Sequence, residues 1–147
     1  MIYVWIILLS LALTALFSAS EMAFIAANRV RLRHLAEEGS QTAARYLEAF
    51  RRPERVLATC MMGVTIAHIT ASSVSTWALL PVLGSWSAVA VTAALTPIML
   101  VFGEVMPKAV AREWATPLIR SLFRVIELSS WVLAPLTWGA NAVVGKA

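Results

Sequence analysis

Oxygen-bearing side chains interrupt two apolar segments of this sequence. The stretch FSASEMAF brings Ser18, Ser20 and Glu21 to the end of a run of mostly apolar residues, and the stretch FGEVMPK brings Glu104 to the end of another. Ionisable residues inside membrane-spanning segments are rare and are functional candidates by default. These side chains are therefore the first candidates for a polar binding site.

Backbone chemistry adds to the second stretch. A proline in a helix donates no N–H, so Pro107 leaves the carbonyl of Gly103 without its usual partner. A free carbonyl beside the Glu104 carboxylate is a plausible place for a hard cation. Pro97 frees the carbonyl of Ala93 in the same way, and we expect the helix to kink at both prolines. Because lipid does not tolerate bare backbone groups, such breaks should face protein or a water-filled cavity.

A third apolar segment contributes the stretch MMGVT, in which Gly63 exposes its carbonyl and Thr65 offers a hydroxyl. Hydroxyl, carbonyl and carboxylate oxygens suit Mg²⁺, Ca²⁺ or Na⁺ rather than zinc or copper. On a regular helix Ser18 and Glu21 share a face, whereas Ser20 lies about 200° from Ser18. All three side chains can bind one ion only if the helix is distorted at this point. On a regular helix, Ser20 must make a different contact.

Ordinary structural roles compete with cation binding at each position. Serine and glycine in membrane helices often only permit close packing, which would account for Ser18, Ser20 and Gly63. Glu104 could pair with Lys108 one turn later. His68, deep in an apolar segment, is more often a packed, hydrogen-bonded residue than a ligand. Cation binding is favoured only by the combination of these residues.

Composition places the chain in the membrane class. It is 60% hydrophobic and 14% charged, with a mean hydropathy of +0.78, whereas soluble domains are about 25% charged. The net charge of +4 does not indicate nucleic-acid binding, because the basic residues flank apolar segments and no nucleic-acid motif is present. The single cysteine, Cys60, excludes an internal disulfide. The N-terminus lacks the features of a removable signal peptide.

Three segments are long and apolar enough to cross a bilayer, which takes about 20 residues. They cover about residues 2–27, 56–80 and 86–105. All 12 lysines and arginines lie between the first two segments or from Lys108 onward. The positive-inside rule therefore predicts an N-terminus outside the cell and a cytoplasmic C-terminus. The predicted fold is an all-α membrane protein with three transmembrane helices in one domain, residues 1–147.

Shorter helices should lie at the cytoplasmic side. We expect two juxtamembrane helices within about residues 28–53, with Gly39 ending the first, Ser40 capping the second and Pro53 ending the second. Charged residues interrupt the last apolar region, so we expect interfacial belt helices over about residues 110–144, with Arg120 and Arg124 facing head groups and Trp131 and Trp138 at the interface. The alternative is a fourth membrane-spanning helix over about 118–144.

These motifs resemble the CNNM/CorC family of magnesium transport proteins, in its conserved transmembrane domain. The resemblance rests on SASEMAF, MMGVT and GEVMPK in this order, and it extends over nearly the whole chain. It implies a homodimer in the inner (plasma) membrane, with three transmembrane helices and a cytoplasmic belt of helices in each subunit. It also implies Mg²⁺ bound between the helices, and export coupled in some accounts to Na⁺ entry.

The resemblance also implies a ligand set for Mg²⁺. The ligands would be the hydroxyls of Ser18 and Ser20, the carbonyl of Gly63 and the carboxylate of Glu104, and our proline argument adds the carbonyl of Gly103. Glu21 would serve Na⁺ or helix packing. The chain departs from many relatives at Val64, Thr65 and His68, where those proteins have asparagine, so amide ligands are not carried over. Paired cytoplasmic CBS domains are expected in the full-length protein.

The functional hypothesis from the sequence is therefore a Mg²⁺ exporter, with the prolines as hinges. The alternatives are a Mg²⁺ channel that uses the same site, and a membrane sensor or scaffold in which the ion only stabilises the dimer. A membrane-embedded enzyme is poorly supported, because the sequence offers no nucleophile–base pair, no zinc motif and no aspartate. We expect no enzymatic activity.

Overall fold

The computed structural model describes residues 1–132, which are helical apart from short connections. In chain order they form α1 (Ile2–Ala26), α2 (Arg29–Glu37), α3 (Gln41–Ala49), α4 (Pro53–Leu83), a 3₁₀ turn (Gly84–Trp86), α5 (Ser87–Ile98), a π-helical segment (Met99–Val105), α6 (Met106–Glu113) and α7 (Ala115–Val132).

Two stretches are long and apolar enough to cross a membrane. They are α1, with 25 residues, and the 61-residue run Pro53–Glu113. The second stretch reverses direction at Gly84, whose φ of 53° suits glycine, so that α5 packs beside α4. At about 1.5 Å per residue, α1 alone exceeds a hydrocarbon core of about 30 Å. The prediction of an all-α membrane protein is confirmed, while the number of spans and the homodimer stay predictions.

Helix α1 packs closely against α4. The buried positions of α4 include Gly63, Ala67, Ala71 and Ser75, which recur every four residues and so form one stripe of small side chains. At Gly63 a Cβ atom would lie 2.6 Å from the ring of Phe17 on α1, closer than any real contact. Small residues let membrane helices approach in this way, and Gly63 is therefore a packing residue of the α1–α4 contact.

Helices α2 and α3 lie within the range in which the sequence predicts two juxtamembrane helices. Gly39, with φ of 95°, ends α2, and the Ser40 hydroxyl caps α3 by accepting a hydrogen bond from the Ala43 N–H at 3.4 Å. The prediction for Pro53 was wrong, because α3 already ends at Ala49 and Pro53 begins α4. A proline is favoured in the first turn of a helix, where its missing N–H would have no partner anyway.

One hydrophobic cluster joins α1, the juxtamembrane helices and α7. Tyr46 of α3 lies at its centre, in edge-to-face contact with Phe24 of α1 and Phe123 of α7. The Tyr46 hydroxyl donates to the carbonyl of Phe24 at 2.6 Å. Carbonyls in the last turn of a helix have no partner within it, so the phenol caps the end of α1. Burial raises the pKa of Tyr46 to about 12, against the opposing charge of Arg29.

Helix α7 covers part of the region predicted as belt helices. It buries Ile119, Phe123 and Ile126 in the same cluster as Tyr46, and its Glu127 lies 3.3 Å from the Arg45 guanidinium of α3. The part of that prediction from residue 133 to 144, including Trp138, lies outside the described residues. The belt interpretation of residues 110–144 stays a prediction.

Replacing Gly63 by alanine should destabilise the fold, because the added Cβ meets the Phe17 ring. Overpacking of this kind costs about 1–3 kcal/mol. Melting in detergent, followed by circular dichroism, should show a lower midpoint for Gly63→Ala and an unchanged one for Met61→Ala, which alters an exposed side chain of α4. Combining Gly63→Ala with Phe17→Leu should recover part of the loss. A midpoint for Gly63→Ala equal to wild type would contradict the packing role.

Tyr46→Phe should show a stability difference from wild type that depends on pH. In the unfolded chain the tyrosine has a pKa of 10.0, and in the folded chain about 12, so folding favours the neutral phenol. The resulting stability is present below pH 10 and is lost as the pH rises from 10 to 12. Melting midpoints of wild type and Tyr46→Phe should therefore converge over that range. Tyr3→Phe is the matched control, and a difference that stays constant with pH would count against this account.

Candidate cation site

The π-helical segment Met99–Val105 contains both Gly103 and Glu104. Its wider hydrogen bonding is visible where the Met106 N–H donates to the carbonyl of Val101, five residues back. Pro107 follows directly and removes one backbone donor. The sequence predicts kinks at Pro97 and Pro107. In the structure Pro97 lies within α5 and the helix type changes from Met99 onward. Short π segments are frequent at functional sites.

Helix α1 brings Ser18 to this segment. The Ser18 hydroxyl donates a hydrogen bond of 3.4 Å to the backbone carbonyl of Glu104, and the Ser18 side chain is fully buried. The Glu104 carboxylate turns toward α4, where its Oε1 atom lies 3.5 Å from Nε2 of His68. The structure therefore brings Ser18 of α1, His68 of α4 and Glu104 of the π segment, from distant parts of the chain, to one junction.

Ser20 contacts a different group. Its hydroxyl donates to the carbonyl of Leu16 on its own helix at 2.6 Å, and its side chain is also fully buried. Helix α1 runs without interruption from Ile2 to Ala26. On such a helix the two serines lie on different faces, so the structure places Ser18 at the junction with Glu104 and gives Ser20 a local backbone contact.

The two predicted glycine ligands both lie at close helix contacts. Gly63 packs under the Phe17 ring, and a Cβ atom on Gly103 would lie 2.9 Å from the Thr14 methyl group of α1. Thr14 itself is buried and donates its hydroxyl to the carbonyl of Ser10 at 2.9 Å. The absence of a side chain at both positions is thus required by packing. Any ligation by their carbonyls would be a second role.

The carboxylates of Glu21 and Glu104 have different partners. Nζ of Lys108 lies 3.2 Å from Oε2 of Glu21, so Lys108 joins α6 to α1. The alternative pairing of Lys108 with Glu104, left open by the sequence, is not the one that the structure adopts. The Glu21–Lys108 ion pair follows the Ser18–Glu104 contact by one helical turn on each chain segment. Two successive polar contacts therefore connect α1 to the π segment and to α6, which follows it.

Two further polar residues of α4 have distinct roles. The Thr65 hydroxyl donates to the carbonyl of Met61 at 2.9 Å on an exposed face. His68 lies near Glu104, but its buried Nε2 atom has no hydrogen bond of good geometry within residues 1–132. The contact between His68 and Glu104 was missed from the sequence. The signal that pointed to it is that His68 and Glu104 are ionisable residues in neighbouring apolar segments.

The chemistry of the junction is that of a site with few charges. Within residues 1–132 no three His, Cys, Asp or Glu side chains come together around a common point. A cation at this junction would contact the Glu104 carboxylate and neutral oxygens from hydroxyls or the backbone. Such a donor set suits a hard cation, and it suits Mg²⁺ in particular if the ion retains part of its water, as it usually does in proteins.

Comparison with known proteins identifies the surrounding fold. Residues 5–147 match the sequence profile of the family CNNM, described as the cyclin M transmembrane N-terminal domain. Among curated proteins, the chain is 30% identical over 131 residues to the UPF0053 inner membrane protein YfjD of Escherichia coli. That alignment covers 89% of this chain and 31% of the relative.

Other relatives share the same part of their sequences. A UPF0053 protein of Haemophilus influenzae is 29% identical over 147 residues, covering 95% of this chain and 35% of the relative. A chloroplastic DUF21 domain-containing protein of Arabidopsis thaliana is 29% identical over 127 residues, covering 86% and 19%. The chain spans about a third of the length of the two bacterial proteins, which therefore contain further sequence that it does not match.

Proposed function

Because the chain belongs to the cyclin M (CNNM) transmembrane-domain family, we propose that it binds Mg²⁺ between its apolar helices and transports it across the membrane. The observation that carries this proposal is the junction at which the Ser18 hydroxyl meets the Glu104 backbone inside a π-helical segment. Polar groups inside a membrane are expensive and are retained for function. The buried Ser18 hydroxyl and the Glu104 carbonyl meet there, and the carboxylate of the same Glu104 lies toward α4, so the junction offers oxygens suited to a cation.

Mg²⁺ fits the donors of this junction. It prefers oxygen ligands at about 2.0–2.1 Å in an octahedral arrangement and loses its water reluctantly. Ser18 and Glu104 would be its first protein ligands, with the carbonyls of Gly63 and Gly103 completing the set. Ser20 would join only after its hydroxyl leaves the Leu16 carbonyl, which requires a local distortion of α1. The proposed ion-bound state therefore differs from this structure in the α1 segment around Ser18.

Transport needs the site to open alternately to the two sides. The π segment and its flanking prolines, Pro97 and Pro107, provide the hinge, because π turns and prolines interrupt regular helical hydrogen bonding. With the N-terminus outside, Glu104 lies near the cytoplasmic ends of the spans. We propose export of Mg²⁺, coupled to Na⁺ entry, by a homodimer of three-span subunits in the inner membrane. The cytoplasmic CBS domains would belong to the longer protein.

The first test is Mg²⁺ binding by calorimetry on the detergent-purified chain. Ser18→Ala and Glu104→Gln should each weaken the apparent affinity at least tenfold, which is about 1.4 kcal/mol, because each removes an oxygen ligand or its charge. Ser73→Ala, on the exposed surface of α4, is the control and should bind as wild type. Ca²⁺ and Na⁺ serve as competitors. Wild-type affinity in both site variants would overturn the proposed site.

Flux into liposomes then separates transport mechanisms. Transport of Mg²⁺ that follows an imposed Na⁺ gradient and is lost in Glu104→Gln supports the coupled exporter. Flux independent of Na⁺ would indicate a channel that uses the same ligands. Binding that raises the melting midpoint without any flux would indicate a sensor or scaffold, and would contradict transport.

A further inference from the structure

The imidazole of His68 lies beside the carboxylate of the proposed ion site. Its Nε2 atom is 3.5 Å from Oε1 of Glu104. That nitrogen is buried and has no hydrogen-bond partner within residues 1–132, although the large majority of buried polar atoms in proteins have one. An unpartnered nitrogen donor is therefore next to an oxygen donor that we propose as a ligand of the cation.

A direct hydrogen bond between the two side chains does not account for this nitrogen. N–H···O bonds in proteins join heavy atoms about 2.7–3.2 Å apart, and the distance from His68 to Glu104 is longer, at 3.5 Å. On its other side His68 lines an open groove between α4 and α5, whose wall is mostly apolar and includes Val91, Leu95 and Met99. No side chain in the described part of the chain therefore gives Nε2 a hydrogen bond.

The distance between the two atoms suits two ligands of one metal ion. With bonds of about 2.1 Å, two donors on a single ion lie about 3.0 Å apart in an octahedral arrangement and about 3.4 Å apart in a tetrahedral one. The observed 3.5 Å is only slightly longer than these separations. Since His68 belongs to α4 and Glu104 to the π segment, a small shift of either side chain would let both atoms bind the same ion.

A ring nitrogen changes which cations a site prefers. Oxygen donors suit Mg²⁺, whereas imidazole is also a good ligand for divalent transition ions such as Ni²⁺, and affinity for such ions rises from Mn²⁺ to Ni²⁺. Within residues 1–132 no third His, Cys, Asp or Glu side chain joins the pair. The donor set is therefore not that of a closed, four-coordinate zinc site, and it leaves the other positions of an octahedral ion to neutral oxygens and water.

We propose that His68 is a specificity-determining ligand of the cation site, and that its Nε2 atom binds Ni²⁺ or Mn²⁺ held by the Glu104 carboxylate. The inference rests on the proposed function, because it uses the same carboxylate. With Mg²⁺ at the site, Nε2 accepts a hydrogen bond from one of the waters that this ion retains. The junction therefore accepts divalent transition ions in addition to Mg²⁺, and His68 sets the ratio of the two affinities.

Pulsed electron paramagnetic resonance of Mn²⁺ added to the detergent-purified chain tests the ligand directly, because a coordinated imidazole nitrogen modulates the Mn²⁺ signal. Wild type should show this modulation and His68→Gln should lose it. The matched control is His34→Gln, which should keep it. His34 is the other histidine of the chain and also lies beside a glutamate, with Nδ1 at 3.7 Å from Oε2 of Glu37 on the exposed surface of α2.

The wild-type spectrum alone can contradict the proposal, whether or not a variant folds. Mn²⁺ that does not bind, or that binds without nitrogen modulation, would overturn the role of His68. Modulation that is lost in His34→Gln and kept in His68→Gln would also overturn it, because the ion would then lie at the surface of α2.

Competition calorimetry with Ni²⁺ and Mg²⁺ at one fixed pH measures the preference. Wild type should bind Ni²⁺ at least tenfold more tightly than Mg²⁺. His68→Gln should lower the ratio of the two affinities at least tenfold, since the nitrogen binds Ni²⁺ directly and Mg²⁺ only through water. His34→Gln should leave the ratio as in wild type. A ratio unchanged in His68→Gln would count against the inference.

The combined outcomes separate this inference from the proposed function. Mg²⁺ binding that is lost in Glu104→Gln, with a Ni²⁺-to-Mg²⁺ ratio that His68→Gln does not alter, would support the proposed function and overturn the role of His68. Nitrogen-coordinated Mn²⁺ in a chain that binds no Mg²⁺ would support His68 as a ligand and overturn Mg²⁺ as the transported ion.

Discussion

Helix α1 can bring Ser18 to Glu104 only because two glycines, Gly63 and Gly103, let it lie directly against α4 and the π segment. Phe17 occupies the space that a side chain at Gly63 would need, and Thr14 occupies the space beside Gly103. Membrane helices associate through packing and small residues rather than through the hydrophobic effect, so contacts of this kind set the distance between backbones. The hydrogen bond from Ser18 to the Glu104 carbonyl exists at that distance. The packing of α1 against the two glycines thus determines the geometry of the site.

The last turns of α1 are also held in place, here by polar contacts. There the Tyr46 phenol caps the Phe24 carbonyl, and the Glu21–Lys108 ion pair joins α1 to α6. Both contacts satisfy polar groups that lie at the edge of the apolar region, where the backbone of α1 would otherwise end unpaired. Helix α1 is therefore fixed to α3, to α6 and to the π segment by three different polar contacts. Movement of the π segment would have to break or shift the contacts that involve Ser18 and Lys108.

The sequence predicts the apolar helices well because their signal is composition over many residues. The segment around 2–27 coincides with α1 to within one residue and the segment around 56–80 lies within α4, and Ser40 and Gly39 have the capping and terminating roles that their chemistry favours. The failures concern backbone details. Pro53 begins a helix instead of ending one, since a proline marks a boundary without stating on which side the helix lies. The π segment was not predicted, because no side-chain pattern distinguishes it from an α-helix.

The sequence predicts the residues of the candidate site but not the contacts between them. Residue types identified the oxygens, but which oxygens meet depends on rotation about each helix. A regular α1 places Ser18 toward Glu104 and leaves Ser20 bonded to the Leu16 carbonyl. Likewise, His68 rather than Lys108 is the side chain that faces the Glu104 carboxylate. Pairings of this kind arise between residues far apart in the chain, which local sequence patterns do not determine.

The low charge of the junction, which has one carboxylate and several neutral oxygens, limits how far a divalent ion can lose its water there. A fully dehydrated divalent ion in a low-dielectric site would need more than one formal charge to offset its desolvation. Glu104 supplies one, and Glu21 is neutralised by Lys108. The Mg²⁺ ion that we propose at this junction would therefore have to keep water on the side that protein oxygens do not cover. The buried Nε2 atom of His68 lies 3.5 Å from the Glu104 carboxylate and makes no hydrogen bond within residues 1–132, so it is a group of the protein that such water would contact.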